Sequence, residues 1–337
     1  MARRWSRRPE GSNWGEFGDD DQLGSLNYIT ADVVRNAVAE VRDGECFCLS
    51  LPLDYPGGRA LAPHRFPPQL RSTERKGHRF FNYSFRNEGR FYCDVGCDDA
   101  VTLCTQYSTQ WDSFAHIGAE FDLGENGEVE FCFYNGFTAH RDIRPPEARG
   151  DDLSMPLGVD RFAEKAIQSR GVLLDVAHHF GRDEQTIGLS HLLKIIERDT
   201  VQIRPGDILC LHTGFADELV KMERSPDPER VHHMCAALDG TDGALKQWLS
   251  DSGIAALVAD NYAVERIRPG LERQTTEFVP LHHHCLFKRG IPLGELWYLT
   301  DLARRLRKAQ RSAFLLTAPP LRLPGAVGSP VTPVATV

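Results

Sequence analysis

Gln106-Tyr107-Ser108-Thr109-Gln110-Trp111-Asp112-Ser113-Phe114-Ala115-His116 packs more polar and reactive groups into one stretch than its surroundings do, and it follows the apolar-rich run 101–103. A strand that ends in a carboxylate, with an imidazole four positions on, delivers two metal ligands or proton carriers to one place. If the chain turns helical after Trp111, Asp112 and His116 stand one turn apart on a shared face. A plainer reading is also open, with Asp112 as a helix cap and His116 as a satisfied core histidine.

Outward from this stretch, the chain has 337 residues with 41% hydrophobic content, enough for a substantial core. A net charge of -8 argues against an electrostatic grip on nucleic acid, which draws on clustered Lys and Arg. The one basic cluster is Arg3, Arg4, Arg7 and Arg8, and residues 1–12 read as a flexible basic tail ahead of a single catalytic domain, 13–337. No apolar run approaches the roughly 18–20 residues that span a bilayer, and no apolar export segment follows the arginines, so the expectation is a cytoplasmic protein without a membrane partner. The 9 cysteines, odd in number and scattered, read as free thiols rather than a disulfide framework. Cys93 and Cys97 have the spacing of half a zinc site, but no second pair answers them. The acidic stretch 122–130 lacks the alternating oxygen ligands of a calcium loop and reads as a solvated turn.

Periodicity predicts helices over 30–44, 159–169, 189–198, 226–238, 243–249 and 300–310, and strands over 46–53, 171–176, 207–211, 254–258 and 313–317. The alternation is that of an α/β protein with a mixed sheet. Residues 55–90, rich in Pro, Gly and Arg, read as a long loop lying over a site. No glycine-rich nucleotide motif is present. His178, His179 and His212 fall at predicted strand ends, where sites gather. The aromatics Phe80, Phe81 and Tyr83 are candidates for a pocket wall.

A second cluster lies far downstream: Leu281-His282-His283-His284-Cys285, then Gly290-Ile291 and Glu295. On a strand, His282 and His284 share a face and His283 opposes them.

Together the two segments resemble the cyclase family that includes kynurenine formamidases and isatin hydrolases, whose signature is H-x-G-T-H-x-D-x-P-x-H. Thr109, Asp112 and His116 match it. Gln106 and Gln110 stand where it has histidines, Ser108 where it has glycine and Phe114 where it has proline. Pro280, His282, Gly290, Ile291 and Glu295 match the family's later segment. Asn13-Trp14-Gly15, residues 24–27, 171–175, 206–207, 213–214, Asp260-Asn261, Ala263-Val264-Glu265 and 319–333 extend the likeness along most of the chain.

The resemblance implies a swivelling β/β/α fold and a homo-oligomer acting on a small molecule. It also implies a divalent ion, zinc or manganese, held by Asp112, His116, His282 and Glu295. The family's other ion site would need the two histidines replaced here by Gln106 and Gln110, whose neutral amides are poor ligands for such an ion. Three functions remain open. One is a hydrolase that turns activated water on an amide, lactam or lactone, with Gln106, Thr109, Gln110, Trp111 and Phe114 against the substrate. Another is a metal-free acid–base cyclase, dehydratase or isomerase of a natural-product intermediate. The third is a binding protein that has lost its chemistry.

Overall fold

The computed structural model describes residues 3–267 and 276–337. Three short apolar strands, β3 (Gln168–Leu174), β4 (Ile208–Leu211) and β5 (Ala256–Ala259), form its centre. From Ser169 on, all their residues are buried, as expected for parallel strands covered on both faces. They pair in parallel with one another, and β5 pairs in parallel with β6 (Leu293–Glu295). Antiparallel strands extend this block on both sides. Beyond β3 come β7 (Ala313–Thr317), β9 (Val334–Thr336) and β1 (Cys46–Cys48). Beyond β6 come β2 (Gln110–Asp112) and β8 (Gly328–Pro330). The mixed sheet therefore runs β1-β9-β7-β3-β4-β5-β6-β2-β8.

Helix α1 (Ala31–Val38) starts on the Thr30 side chain, which accepts from Val33 N, and packs against β3 and β7. Helix α2 (Leu189–Arg198) also packs on β3, with α3 (Gly243–Asp251) beside it. Helix α4 (Thr300–Lys308) precedes β7 and buries Leu302, Ala303 and Leu306.

Several elements differ from the sequence expectation. The helix of 159–169 is only Asp160–Lys165, because Ala166 turns left-handed (φ 53°) and Ser169 already belongs to β3. The helix of 226–238 is only Pro228–His232; the chain then forms a buried strand, Ala236–Leu238, paired with Gln185–Ile187. His178 and His179 lie in a short helix after β3, not at its tip. The N-terminal segment is pinned from Trp5 onward: Trp5 is buried edge-on against Trp14 with 5.5 Å between ring centroids, and Arg4 stacks over Phe137. Aromatic burial outweighs the arginines that suggested a solvated tail.

The long loop after Tyr55 has two parts. Nine of its first ten residues, Pro56 and Gly58 to Arg65, line a cavity. Residues 69–102 then form small hairpins, in which Phe80, Tyr83 and Phe85 pack edge-to-face on one another while Phe91 and Tyr92 stay exposed.

A candidate active site at the edge of the parallel strands

The alternation of β2 decides which residues of the opening stretch reach the site. Gln110 and Asp112 share one face, and Trp111 takes the other. In the antiparallel pairing with β6, Glu295 lies opposite Gln110 and Leu293 opposite Asp112, so Asp112, Gln110 and Glu295 meet on one face. Trp111 is driven into the core, edge-on to Trp297 at 5.1 Å, with its indole N–H donated to Ala318 O at 2.8 Å. After Asp112 the chain does not become helical. It makes a turn closed by His116 N to Ser113 O at 3.0 Å, and this turn presents the His116 ring to a cavity.

His282 arrives from the opposite direction, and not on a strand. Pro280 starts a helical turn, Pro280–His282, which runs on as a π-helical stretch, His283–Arg289. Proline at the first helical position is the local cause. The three histidines therefore part. His283 packs on Phe287 and His284 bonds Ser250 Oγ at 3.0 Å, while His282 alone faces the carboxylates. Gly290 ends the stretch in the left-handed region (φ 55°), where a side chain would run into Tyr134 and the backbone of Gly24.

His282 is held by Glu265. The carboxylate accepts from Leu281 N at 3.0 Å, from His282 N at 2.9 Å and from His282 Nδ1 at 2.9 Å. Donation from Nδ1 leaves Nε2 as the nitrogen that faces the site, so that loss of its proton offers a lone pair to a metal ion. Glu265 follows two non-glycine residues in the left-handed region, Ala263 (φ 68°) and Val264 (φ 56°), and Glu295 precedes another, Leu296 (φ 55°). Such backbone is costly, most of all for a β-branched residue, and it concentrates where a side chain must be held in one place. Glu265 is a site residue that periodicity does not reveal. Its signal is the family likeness at Ala263-Val264-Glu265, which marks the segment without giving the residue a role.

Ligand atoms of Asp112, His282 and Glu295 all lie within 4.8 Å of one another, and all three residues are buried. His282 Nε2 is 3.2 Å from Glu295 Oε1 and 4.0 Å from Asp112 Oδ2. His116 stands one ring away, its centroid 6.3 Å from that of His282. Gln106 and Gln110 donate to the carboxylates rather than facing the cavity: both bond Asp112 Oδ1, and Gln110 Nε2 also reaches Glu295 Oε2 at 3.0 Å. Among the described residues, Asp112 Oδ2 is buried without a hydrogen-bond partner.

Three carboxylates thus converge on one imidazole, and the protonation of the site records the shortage of positive charge. Burial, and then the charge of Glu295, push Asp112 up to about 7. Burial presses His282 down, but its bonds to Glu265 and Glu295 outweigh that and raise it to about 10. Burial opposes ionisation of Glu295 too, yet His282 keeps it below the usual carboxylate range. Burial and the neighbouring His282 hold His116 down at about 4, so it faces the cavity as a neutral base.

The cavity measures about 440 Å³. Pro56 and Gly58 to Arg65 of the long loop line it, so that part of the loop does lie over the site. His116, His282 and Glu295 line its floor, and Ile117, Tyr262, Val279 and Leu296 its apolar walls. Thr109, Trp111 and Phe114 are not among its lining residues. Thr109 accepts from Leu51 N at 2.9 Å and donates to Leu296 O, tying the strand to the residue after Glu295. Phe114 packs on Tyr134 and Phe162.

His212 is also buried away from the cavity, between Asp175 at 2.7 Å and Thr300 at 3.2 Å. The stretch 122–130 is a turn closed by Asp122 on the backbone of Asn126 and Gly127. Among the described residues, Asp112, His282 and Glu295 are the one group of three with metal-ligand spacing, and Cys93 and Cys97 belong to none.

The fold and this site define an α/β protein with a carboxylate–imidazole centre where the parallel strands meet their antiparallel flank. The chain belongs to the Cyclase family, whose model matches residues 47–266. A solved structure described as a novel cyclase is 28% identical, covers 97% of each chain and superposes with a TM-score of 0.76. Isatin hydrolase A from Labrenzia aggregata, bound to benzyl benzoate, shares the fold at 12% identity, covering 93% of this chain and 99% of its own with a TM-score of 0.56. An isatin hydrolase bound to the product analogue thioisatinate does so at 13% identity, covering 92% and 99%, with a TM-score of 0.55. No curated protein matches the sequence.

Proposed function

We propose that the chain is a hydrolase of a small amide, lactam or lactone, with Asp112, His282 and Glu295 as the ligands of one divalent ion, zinc or manganese. The observation that carries this reading is Asp112 Oδ2, fully buried and without a hydrogen-bond partner among the described residues, beside His282 Nε2 and Glu295. A buried carboxylate oxygen without a partner is costly, and a cation is the group that satisfies it. Such an ion supplies hydroxide at neutral pH, lowering the pKa of a bound water toward roughly 7.

The chain's own residues do the rest. Glu265 fixes the ring of His282 through Nδ1. Gln106 and Gln110 steady Asp112 and Glu295. His116, neutral and open to the cavity, takes a proton from the attacking water and returns it to the leaving nitrogen or oxygen. The apolar walls suit a flat acyl compound, and isatin is the first probe to try because two proteins of this fold carry its name.

A second reading has its own support. With Asp112 near 7 and His116 neutral, the site holds a proton donor and an acceptor without any ion, as cyclisation or isomerisation requires. Turnover of isatin and of a panel of aryl lactones and amides, before and after chelation, separates the two. Hydrolysis lost on chelation, restored by zinc or manganese, and absent from Asp112→Ala is the expected result. Hydrolysis undiminished by chelation counts against the ion-dependent reading.

A further inference from the structure

The segment Arg59-Ala60-Leu61-Ala62-Pro63-His64-Arg65 lines one side of the cavity and sets cations at both ends of a small apolar run. None of Arg59, His64 and Arg65 has an ion-pair partner among the described residues. Arg65 is the deepest of them: it is half-buried, whereas Arg59 and His64 are exposed. One guanidinium nitrogen, Nη1, donates to Gln106 O at 2.5 Å, which tethers the group at one corner. The rest of the fork has no hydrogen-bond partner among the described residues. Arg65 lines the same cavity as His116, His282 and Glu295, and its anchor Gln106 bonds Asp112, which places it beside the reacting centre. Of the other polar wall groups, Arg59 and His64 are the more exposed, and the next two, His232 and Tyr107, are already engaged. His232 bonds Tyr262 Oη at 2.6 Å, and Tyr107 Oη donates to Gly58 O at 2.9 Å.

A tethered, half-desolvated guanidinium with a free edge, set in an apolar wall, is matched by a planar two-oxygen anion. We propose that Arg65 is the specificity-determining residue of this site, and that the substrate is a flat apolar acyl compound carrying a carboxylate, which Arg65 grips while the reacting carbonyl lies against the floor. The inference rests on the hydrolase reading above for the identity of the reaction, but not for the grip itself. Lysine at this position would keep the charge and lose the two-toothed contact.

The test is binding of benzoate and benzamide, which differ in charge but hardly in shape, to the full chain by calorimetry, as purified and after chelation. Wild type should bind benzoate at least about tenfold more tightly than benzamide in both preparations. Arg65→Met should lose that preference while its benzamide affinity stays within about twofold, and Arg65→Lys should keep part of it. No preference in the wild type overturns the proposal, and that arm needs no variant to fold. A preference undiminished in Arg65→Met, or one that chelation abolishes, gives the carboxylate to another group and overturns it as well. Because no bond is cleaved, a protein that prefers benzoate yet hydrolyses nothing refutes the hydrolase and leaves Arg65's role standing; active protein without the preference does the reverse.

Discussion

Asp112 illustrates how a single residue is held against its own preference. An aspartate in the unfolded chain ionises near 3.9, whereas here burial and Glu295 raise it to about 7. Between those values the folded chain holds a proton that the unfolded chain has lost, so without an ion this residue costs stability progressively as the pH rises from about 4 to 7. Asp112→Asn removes the cost. In chelated protein at pH 8 the variant should melt a few degrees higher than wild type, and the gain should shrink toward pH 5, while turnover is lost at every pH. Calorimetric scans across that range check it; a variant that melts lower at pH 8 would mean that Asp112 is compensated within the chain itself. The same residue shows what a sequence can disclose. Asp112, His282 and Glu295 were legible because the two segments that carry them resemble the cyclase family. Arg65 was not, since it lies in a loop whose composition has no period and whose contact with Gln106 is to backbone.

At the scale of elements, the site is made by strand β2 against strand β6 and by a helical turn brought up to both. The β2 stretch could be read for its chemistry but not for its direction. The period of two, together with the register against β6, sends Trp111 to the core and Asp112 to the site. His282 to His284 contain no apolar period, so the strand reading had nothing to oppose it except Pro280, a helix-start signal that outranks the triplet. The turn is locked by Glu265, and Glu265 is accommodated by a glycine: a Cβ on Gly240 would lie 2.0 Å from Glu265 Oε2. Gly240→Ala should therefore displace Glu265 and free His282 Nδ1, weakening ion affinity about 10- to 100-fold with the sheet intact. Competition against a chromophoric chelator measures this, with Glu265→Gln as the reference. Unchanged affinity in both variants would show that the Glu265 contact does not prepare the imidazole.

For the whole molecule, the parallel block and its antiparallel flanks were legible as alternating apolar runs and helices, and the mixed sheet follows from them. The N-terminal arm and the loop over the site were legible only as irregular, because aromatic packing and side-chain-to-backbone bonds leave no period behind. What the assembled fold adds is a charge balance. Asp112, Glu265 and Glu295 surround His282 in a buried space, and the balance is met either by protons or by an ion. If by an ion, binding must expel protons: His282, raised to about 10, is charged at pH 7, and Asp112, at about 7, is half protonated. Titration of zinc into chelated protein at pH 7 in weakly buffered indicator dye should release between about one and two protons per site, and fewer as the pH rises toward 10. Binding without release would place the ion elsewhere.

The most direct measurement is anomalous scattering from crystals of protein purified without chelator, with metal content determined on the same preparation. The account predicts about one zinc or manganese per chain, within roughly 2.0–2.3 Å of Asp112, His282 Nε2 and Glu295. A stoichiometric ion bound elsewhere, or an ordered site without one in active protein, would contradict it.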